Sequence, residues 1–286
     1  MSSQPFFAVA RAAVVLRGRE PLPLRVWYPG VASGIDQPVA PQAVPAPALA
    51  FGHGYLASAA LYSTMCGRLA ERGIVVVAPE TQTQLFPSHS GLADDLLRSL
   101  RWLAAGAPGV PALARAVDLE RTAVGGHSMG GGCAVLAAAR DRRIRTVATV
   151  AAARTRPSAL DAAARLEVPT LFLAAERDRV TPVSRHQRPL FEAVRPGTPT
   201  QLRIIRGGTH AGFVDPVGLW GAARPRRGLL SRTVQLELAG DVLSGWLLGV
   251  VGGRRDVWSS LWDPESAARV GVDLETRSAP GGIASR

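Results

Sequence analysis

Short apolar runs alternate with helix-like patterns along most of the chain. Continuous runs of β-branched and other apolar residues, such as residues 74–78, are typical of strands buried on both faces of a parallel sheet. Elsewhere leucines recur in line, as at Leu92, Leu96, Leu100 and Leu103, which predicts a helix. The alternation predicts an α/β fold with a mostly parallel central sheet, right-handed crossovers and helices on both faces.

The same patterns place the individual elements. Residues 6–16 and 22–28 flank a polar stretch and predict an N-terminal antiparallel hairpin, whereas residues 29–47 lack periodicity and predict a connection of limited order. Further strands are predicted at residues 48–52, 74–78, 121–125, 144–150, 169–174 and, as the last strand, 201–205. Helices are predicted around residues 61–69, 92–103, 129–140, 158–165, 190–194 and, as the last helix, 238–247.

Length and composition favour a single large domain. The chain has 286 residues, of which 47% are hydrophobic, enough for one large buried core. We expect a domain at residues 1–252 and a more polar C-terminal extension at residues 253–286. Trp258 and Trp262 are expected to pack this extension onto the domain, with the last ten residues frayed.

The formal net charge of +11 raises the question of nucleic-acid binding. Every basic residue apart from histidine is an arginine, and the arginines are scattered. The densest cluster, Arg224, Arg226 and Arg227, has no aromatic residues interleaved and no nucleic-acid motif beside it. Nucleic acid is therefore not expected as a partner, and the oligomeric state stays open.

Cysteine usage and hydropathy bear on the compartment. Cys66 and Cys133 have no metal-ligand spacing and suit buried thiols in a reducing compartment. Arg11 interrupts the apolar stretch at residues 1–15, so we expect no signal peptide and a cytoplasmic location. The longest uncharged run, residues 242–253, is shorter than the roughly 20 residues of a membrane span.

One stretch carries the signature of a reactive serine. Gly126-His127-Ser128-Met129-Gly130 follows an apolar run and precedes a helix of small residues. A serine at the tip of a sharp strand-to-helix turn lies so close to its neighbours that the residues two before and two after it must lack side chains. In a chain with 30 glycines such a motif can arise by chance, so the rest of the chain has to support it.

Two further polar residues follow predicted strands and complete a chemical set. Asp178 comes after residues 169–174 and His210 after residues 201–205, so both belong to the carboxyl edge of the sheet with Ser128. A serine hydroxyl needs an imidazole to accept its proton, and the imidazole needs a carboxylate to fix its tautomer. Glu176 and Asp215 remain alternatives for the acid.

The remaining candidates surround this set. An oxyanion needs backbone N–H donors, which Tyr55 and Met129 are placed to supply. His53 is expected to brace the oxyanion loop, and the possible pocket walls are His53, Phe86, Phe213 and Trp220. His127 is expected to be structural, and His89 and His186 to lie on the surface. No metal-ligand cluster or phosphate loop appears in the sequence, so the expected chemistry needs no cofactor or metal.

Taken together, these motifs resemble those of serine hydrolases of the α/β-hydrolase superfamily. Within it the chain is similar to bacterial cutinase-like polyester hydrolases, with the chlorophyllase and dienelactone-hydrolase-like branches close behind. The motifs that carry the likeness are His53-Gly54-Tyr55, residues 78–83, residues 126–132 and Thr209-His210, and it covers residues 6–250. The resemblance implies a serine esterase that cleaves carboxylic esters through an acyl-enzyme on a Ser-His-Asp triad.

Two departures from the polyester hydrolases limit what the resemblance implies. Those enzymes usually carry a tryptophan after the strand that follows the nucleophile helix, where this chain has Ala151-Ala152-Ala153, and they are secreted. True dienelactone hydrolases use a cysteine in place of Ser128. We therefore expect a small-molecule ester substrate of open specificity. An acyltransferase, a perhydrolase or a non-catalytic ligand-binding homologue are the alternatives.

Overall fold

A mixed sheet of ten strands runs through the part of the chain that the computed structural model describes, residues 6–216 and 228–278. The strands are β1 Ala8–Leu16, β2 Leu22–Gly30, β3 Gly34–Ile35, β4 Ala46–Gly52, β5 Val75–Pro79, β6 Val117–His127, β7 Thr146–Val150, β8 Thr170–Ala175, β9 Thr200–Ile205 and β10 Val272–Arg277. Their order across the sheet is β10-β9-β8-β7-β6-β4-β5-β2-β1-β3. The predicted α/β class with a mostly parallel central sheet is confirmed.

Parallel pairing is confined to the middle of the sheet and to one short pair at its edge. Strands β4 to β9 pair in parallel, because each is joined to the next by a crossover that contains a helix or a 3-10 turn. Strand β2 is antiparallel to β5 and to β1, as the predicted hairpin requires, and β10 is antiparallel to β9. The carboxyl ends of the six central strands therefore meet at one edge.

Eight helices of the described residues cover the sheet on its two faces. They are α1 Ser63–Glu71, α2 His89–Ala104, α3 Met129–Ala138, α4 Ala159–Ala163, α5 Gln187–Ala193, α6 Arg232–Val250, α7 Arg255–Ser260 and α8 Pro264–Arg269. Helices α2 to α5 pack on one face and α1, α6, α7 and α8 on the other, each around its own apolar cluster. None of the helices described is long and apolar enough to cross a membrane.

The connection at residues 29–47 is more ordered than its composition suggests. It contains β3, which pairs in parallel with β1, and a 3-10 turn at Pro41–Ala43. The buried Tyr28 hydroxyl donates to Gln37 O at 2.8 Å and ties the segment to β2. The prediction of limited order was wrong, because β1 and Tyr28, which order this segment, lie outside it.

Residues 253–278 add two helices and a strand that the sequence patterns did not predict. Residues 201–205 do not form the last strand, because β10 pairs along the whole of β9 with Val272 opposite Ile205. Trp258 is buried and packs edge-on against Trp246 of α6 at 5.2 Å between ring centroids. The boundary after residue 252 stays a prediction, and residues 279–286, which include most of the expected frayed end, lie outside the described residues.

Both cysteines are buried free thiols, as expected. Burial raises the pKa of Cys66 well above its ordinary value and that of Cys133 to about 12. Both side chains therefore stay protonated at neutral pH and contribute only packing.

Candidate active site

Ser128 occupies a strained turn between β6 and α3. Its backbone has φ 55° and ψ -119°, in a region that non-glycine residues rarely adopt. Three backbone hydrogen bonds hold it there. Its N–H donates to Val150 O at 2.9 Å, and its carbonyl accepts from Gly132 at 3.2 Å and Ala153 at 2.8 Å. With 7% of its surface exposed, the serine lies at the carboxyl edge of the sheet, close to solvent.

The glycines around Ser128 are required by close backbone packing. A Cβ atom on Gly130 would lie 2.1 Å from Gly52 O, and one on Gly126 would lie 2.6 Å from the same oxygen. Real Cβ atoms do not come so close to a carbonyl oxygen, so even an alanine would push β4, β6 and α3 apart. At this turn the backbones of β4, β6 and α3 are thus in direct contact.

Asp178 and His210 come together at the ends of β8 and β9. His210 Nδ1 lies 2.7 Å from Asp178 Oδ2, while the other oxygen, Oδ1, accepts from the N–H groups of Val180 at 2.8 Å and Thr181 at 2.7 Å. Burial by itself would raise the pKa of Asp178. The hydrogen bond and charge of His210, together with hydrogen bonds from Thr181, outweigh burial and lower the pKa overall. The carboxyl is therefore ionised at neutral pH and holds the imidazole of His210 through Nδ1.

Thr181 is a part of this cluster that sequence reasoning missed. Its hydroxyl lies 2.8 Å from Asp178 Oδ2, 3.1 Å from His210 Nδ1 and 3.0 Å from Ala151 O. The spacing of an aspartate and a threonine three residues later is the available signal, because such side chains often hydrogen-bond within a turn.

The two alternative acids have other partners. Glu176 accepts from the N–H of Gly207 at 2.8 Å, and Asp215 accepts from the N–H of Thr64 at 3.0 Å. Asp215 thus joins the segment after His210 to the start of α1. Of the three carboxylates considered, the structure brings Asp178 to the histidine.

Ser128 and His210 share the same edge without a direct hydrogen bond among those of residues 6–216 and 228–278. The ring of His127, the neighbour of Ser128, lies 4.5 Å from the ring of His210 between centroids. Catalytic hydrogen bonds are often long without substrate and shorten when it binds. The absence of a direct hydrogen bond in the unliganded site therefore does not exclude His210 as the base of Ser128.

The proposed oxyanion donors flank the serine. The N–H groups of Tyr55, which follows β4, and of Met129, the first residue of α3, have no acceptor among the described residues. Both ring nitrogens of His53 lie near backbone oxygens, Gly54 O at 2.9 Å and Thr81 O at 2.7 Å, so the buried ring braces the loop. The N–H groups of Tyr55 and Met129 are thus without a protein acceptor in the part of the chain that the structure describes.

The structure separates the predicted pocket residues. Phe86 is 86% exposed, whereas His53 and Phe213 are fully buried and offer no surface to a substrate. The expectation that His53 and Phe213 line the substrate pocket was therefore wrong. Phe213 packs instead on the ring of His127, at 5.9 Å between centroids. Trp220 lies outside the described residues.

Two of the remaining histidines, His186 and His89, hydrogen-bond to backbone groups. His186 Nδ1 accepts from the N–H of Arg154 at 3.1 Å, and His89 Nδ1 accepts from that of Arg156 at the same distance. Burial and the charge of His210 lower the pKa of His127 well below its ordinary value, so this ring is neutral.

This sheet, with its serine on the turn after a central strand, defines a protein of the α/β-hydrolase fold. A family model described as "PETase: PET hydrolase-like" matches residues 25–215, which is more than half of the chain. The chain belongs to this PET hydrolase-like family, and the resemblance to cutinase-like hydrolases is confirmed.

Three curated relatives illustrate the likeness. Cutinase est1 of Thermobifida alba is 30% identical over 163 residues, which cover 57% of this chain and 53% of the relative. Cutinase cut1 of Thermobifida fusca is 30% identical over 164 residues, which cover 57% and 49%. The bis(hydroxyethyl) terephthalate hydrolase of Streptomyces coelicolor is also 30% identical over 164 residues, which cover 57% and 50%. The chain thus spans about half the length of the curated relatives it matches.

Proposed function

We propose that the protein is a carboxylic-ester hydrolase in which Ser128, His210 and Asp178 act as a catalytic triad. The observation that carries the proposal is the 2.7 Å contact between His210 and Asp178, beside a serine held at φ 55°. A strained serine next to a histidine with a fixed tautomer is what acyl transfer requires. Family membership and the names of the relatives support the same reaction class.

In the proposed mechanism Ser128 Oγ attacks the ester carbonyl while His210 Nε2 accepts its proton. The negative charge that develops on the carbonyl oxygen is stabilised by the N–H groups of Tyr55 and Met129. His210 then protonates the leaving alcohol, which yields an acyl-enzyme. Water, deprotonated by His210, attacks this intermediate and releases the acid. Asp178 remains ionised throughout and stabilises the imidazolium.

We propose small esters, rather than polymers, as the substrates. The residues that stand where polyester hydrolases usually carry a tryptophan are alanines, and Ala151 and Ala152 are fully buried. No aromatic ring is therefore available at this position to hold a polymer chain. The names of the relatives suggest including a hydroxyethyl ester of an aromatic acid in a panel graded by acyl and alcohol size.

The test is Ser128→Ala, assayed with short p-nitrophenyl esters. We expect turnover to fall to background while the fold, followed by circular dichroism, is retained, because the hydroxyl is the proposed nucleophile. A fluorophosphonate probe should label the wild-type protein and not the variant. Undiminished turnover in Ser128→Ala would contradict the proposal. Product analysis with added alcohol or peroxide separates hydrolysis from acyl transfer.

A further inference from the structure

Tyr62 joins the two sides of the proposed oxyanion hole. Its side chain is only 1% exposed, and its hydroxyl lies 3.0 Å from the N–H of Gly54 and 2.9 Å from Nδ1 of His127. Gly54 directly precedes Tyr55, and His127 directly precedes Ser128. We propose that Tyr62 is a positioning residue that fixes the spacing between the oxyanion loop and the nucleophile turn. This inference rests on the proposed ester hydrolysis.

One arrangement of protons gives the Tyr62 hydroxyl both a donor and an acceptor as partners. Burial raises the pKa of Tyr62, so its hydroxyl keeps its proton, and burial lowers the pKa of His127, so its ring is neutral. The hydroxyl accepts from Gly54 N–H, and when His127 is in the tautomer with an unprotonated Nδ1, the hydroxyl donates its own proton to that nitrogen. In this arrangement each hydrogen bond has a defined direction from the oxyanion loop to the nucleophile turn.

The network lies where the two segments touch. A Cβ atom on Gly54 would be 3.0 Å from the Tyr62 hydroxyl, 3.2 Å from His127 Nδ1 and 3.5 Å from Ser128 Cβ. The absence of a side chain at Gly54 lets the oxyanion loop reach the serine. The Tyr62 hydroxyl then sets how close the loop comes, because it binds both sides at once.

Tyr62 also acts on the base through His127. The His127 ring lies 4.5 Å from the ring of His210, and its centroid is 5.5 Å from that of Tyr62. Loss of the hydroxyl would release both the Gly54 N–H and the His127 ring. Because oxyanion stabilisation depends on preorganised donors, we expect the loss to lower kcat and to leave KM nearly unchanged.

The test compares Tyr62→Phe with the matched control Tyr28→Phe. Tyr28 is also fully buried and donates to a backbone oxygen, Gln37 O, at 2.8 Å, but it lies on β2 away from the site. For p-nitrophenyl esters we expect kcat to fall about tenfold or more in Tyr62→Phe, with KM within about twofold of wild type. Tyr28→Phe should keep the wild-type kcat.

A second readout separates positioning from general loosening. A thionoester places a larger, weakly accepting sulfur in the oxyanion hole, so a well-fixed hole favours the oxygen ester. We expect the ratio of kcat/KM for the oxygen ester to that for the thionoester to fall in Tyr62→Phe and to stay unchanged in Tyr28→Phe. If kcat and this ratio were unchanged in a folded Tyr62→Phe protein, the proposal would be overturned.

Should Tyr62→Phe fail to fold, a pair of variants at His127 serves instead. The amide of His127→Gln can still accept from the Tyr62 hydroxyl, whereas His127→Leu cannot. We expect His127→Gln to lie closer to wild type in the ester-to-thionoester ratio, and equal ratios in the two variants would contradict the proposal. Failure of the proposed function is a separate result, since it would show as absent turnover in the wild-type protein or as undiminished turnover in Ser128→Ala.

Discussion

Ser128 and the Asp178–His210 pair are held in place by different kinds of contact. On the serine side, the backbones of β4, β6 and α3 touch at Gly52, Gly126 and Gly130, where a single methyl group would not fit. On the acid and base side, loops after β8 and β9 are joined by hydrogen bonds between His210, Asp178 and Thr181. Ser128 is thus held by close backbone packing around its turn, whereas Asp178 and His210 are held by hydrogen bonds between side chains.

This difference separates the expected responses to substitution. A steric contact between backbones cannot relax without moving strands, so a side chain added at one of these glycines affects the whole fold. A hydrogen-bonded cluster can lose one donor and keep its shape, so a change on the other side alters chemistry or titration first. Substitutions on the two sides should therefore differ in which property they change.

The largest effect is expected from Gly130→Ala. Its Cβ would lie 2.1 Å from Gly52 O, so we expect the free energy of unfolding to fall by about 3 kcal/mol or more, together with loss of activity. Gly245→Ala is the matched control on α6, where the nearest atom would be 3.4 Å away. That variant should be neutral or more stable by up to about 1 kcal/mol. Urea unfolding measures both, and equal stabilities would refute the steric account.

A loss of activity without loss of fold is expected from Asp178→Asn. An amide cannot stabilise the imidazolium or hold the required tautomer, so kcat should fall by about 10³–10⁴. Glu176→Gln is the control, because its amide oxygen can still accept from Gly207 N–H. It should lower kcat less than about threefold, as its hydrogen bond survives. Comparable losses in the two variants would mean that Asp178 is not the acid of the triad.

The smallest effect is expected from Thr181→Val, which removes one hydroxyl from the cluster. The lowered pKa of Asp178 stabilises the fold above about pH 3.9, the unfolded value, and that contribution disappears as the pH falls through the folded value. Without the hydroxyl of Thr181 as a donor, the pKa of folded Asp178 should rise, which carbon NMR of the carboxyl measures.

Thr149→Val provides the control for that titration. The Thr149 hydroxyl donates to Leu171 O at 3.2 Å and is as buried as that of Thr181, but it does not contact a carboxylate. The pKa of Asp178 should therefore stay at the wild-type value in Thr149→Val. An unchanged value in Thr181→Val as well would show that the threonine hydroxyl does not act on the acid.

The central strands were predictable because local composition determines them. Runs such as residues 74–78 are apolar at every position, which is typical of a strand covered on both faces. The strand predicted there, β5, was confirmed within one residue at each end. Strand β10 was not predictable in this way. In β10, Val272 and Leu274 alternate with charged residues as in a half-buried strand, but its partner β9 lies about seventy residues earlier in the chain.

For the site, the sequence predicted residue types better than their surroundings. The glycine-flanked serine and the order of acid and histidine are local signals, although the roles of Ser128, Asp178 and His210 stay proposals. Tyr62 could not be singled out, since a tyrosine beside an apolar helix pattern looks like any core residue. Its importance depends on where the hydroxyl meets Gly54 and His127 in space.

Strands β1 and β10 determine where the molecule can be divided. The family match covers residues 25–215, yet β1 and β10, which pair with the outer sides of β2 and β9, lie beyond it at either end. A fragment cut to the matched residues would carry two open rows of backbone donors and acceptors, which invite pairing with other chains. In β10, by contrast, Asp273 and Glu275 are bound to arginines. The terminal segments therefore cover the two backbone edges that the shared family region would otherwise expose.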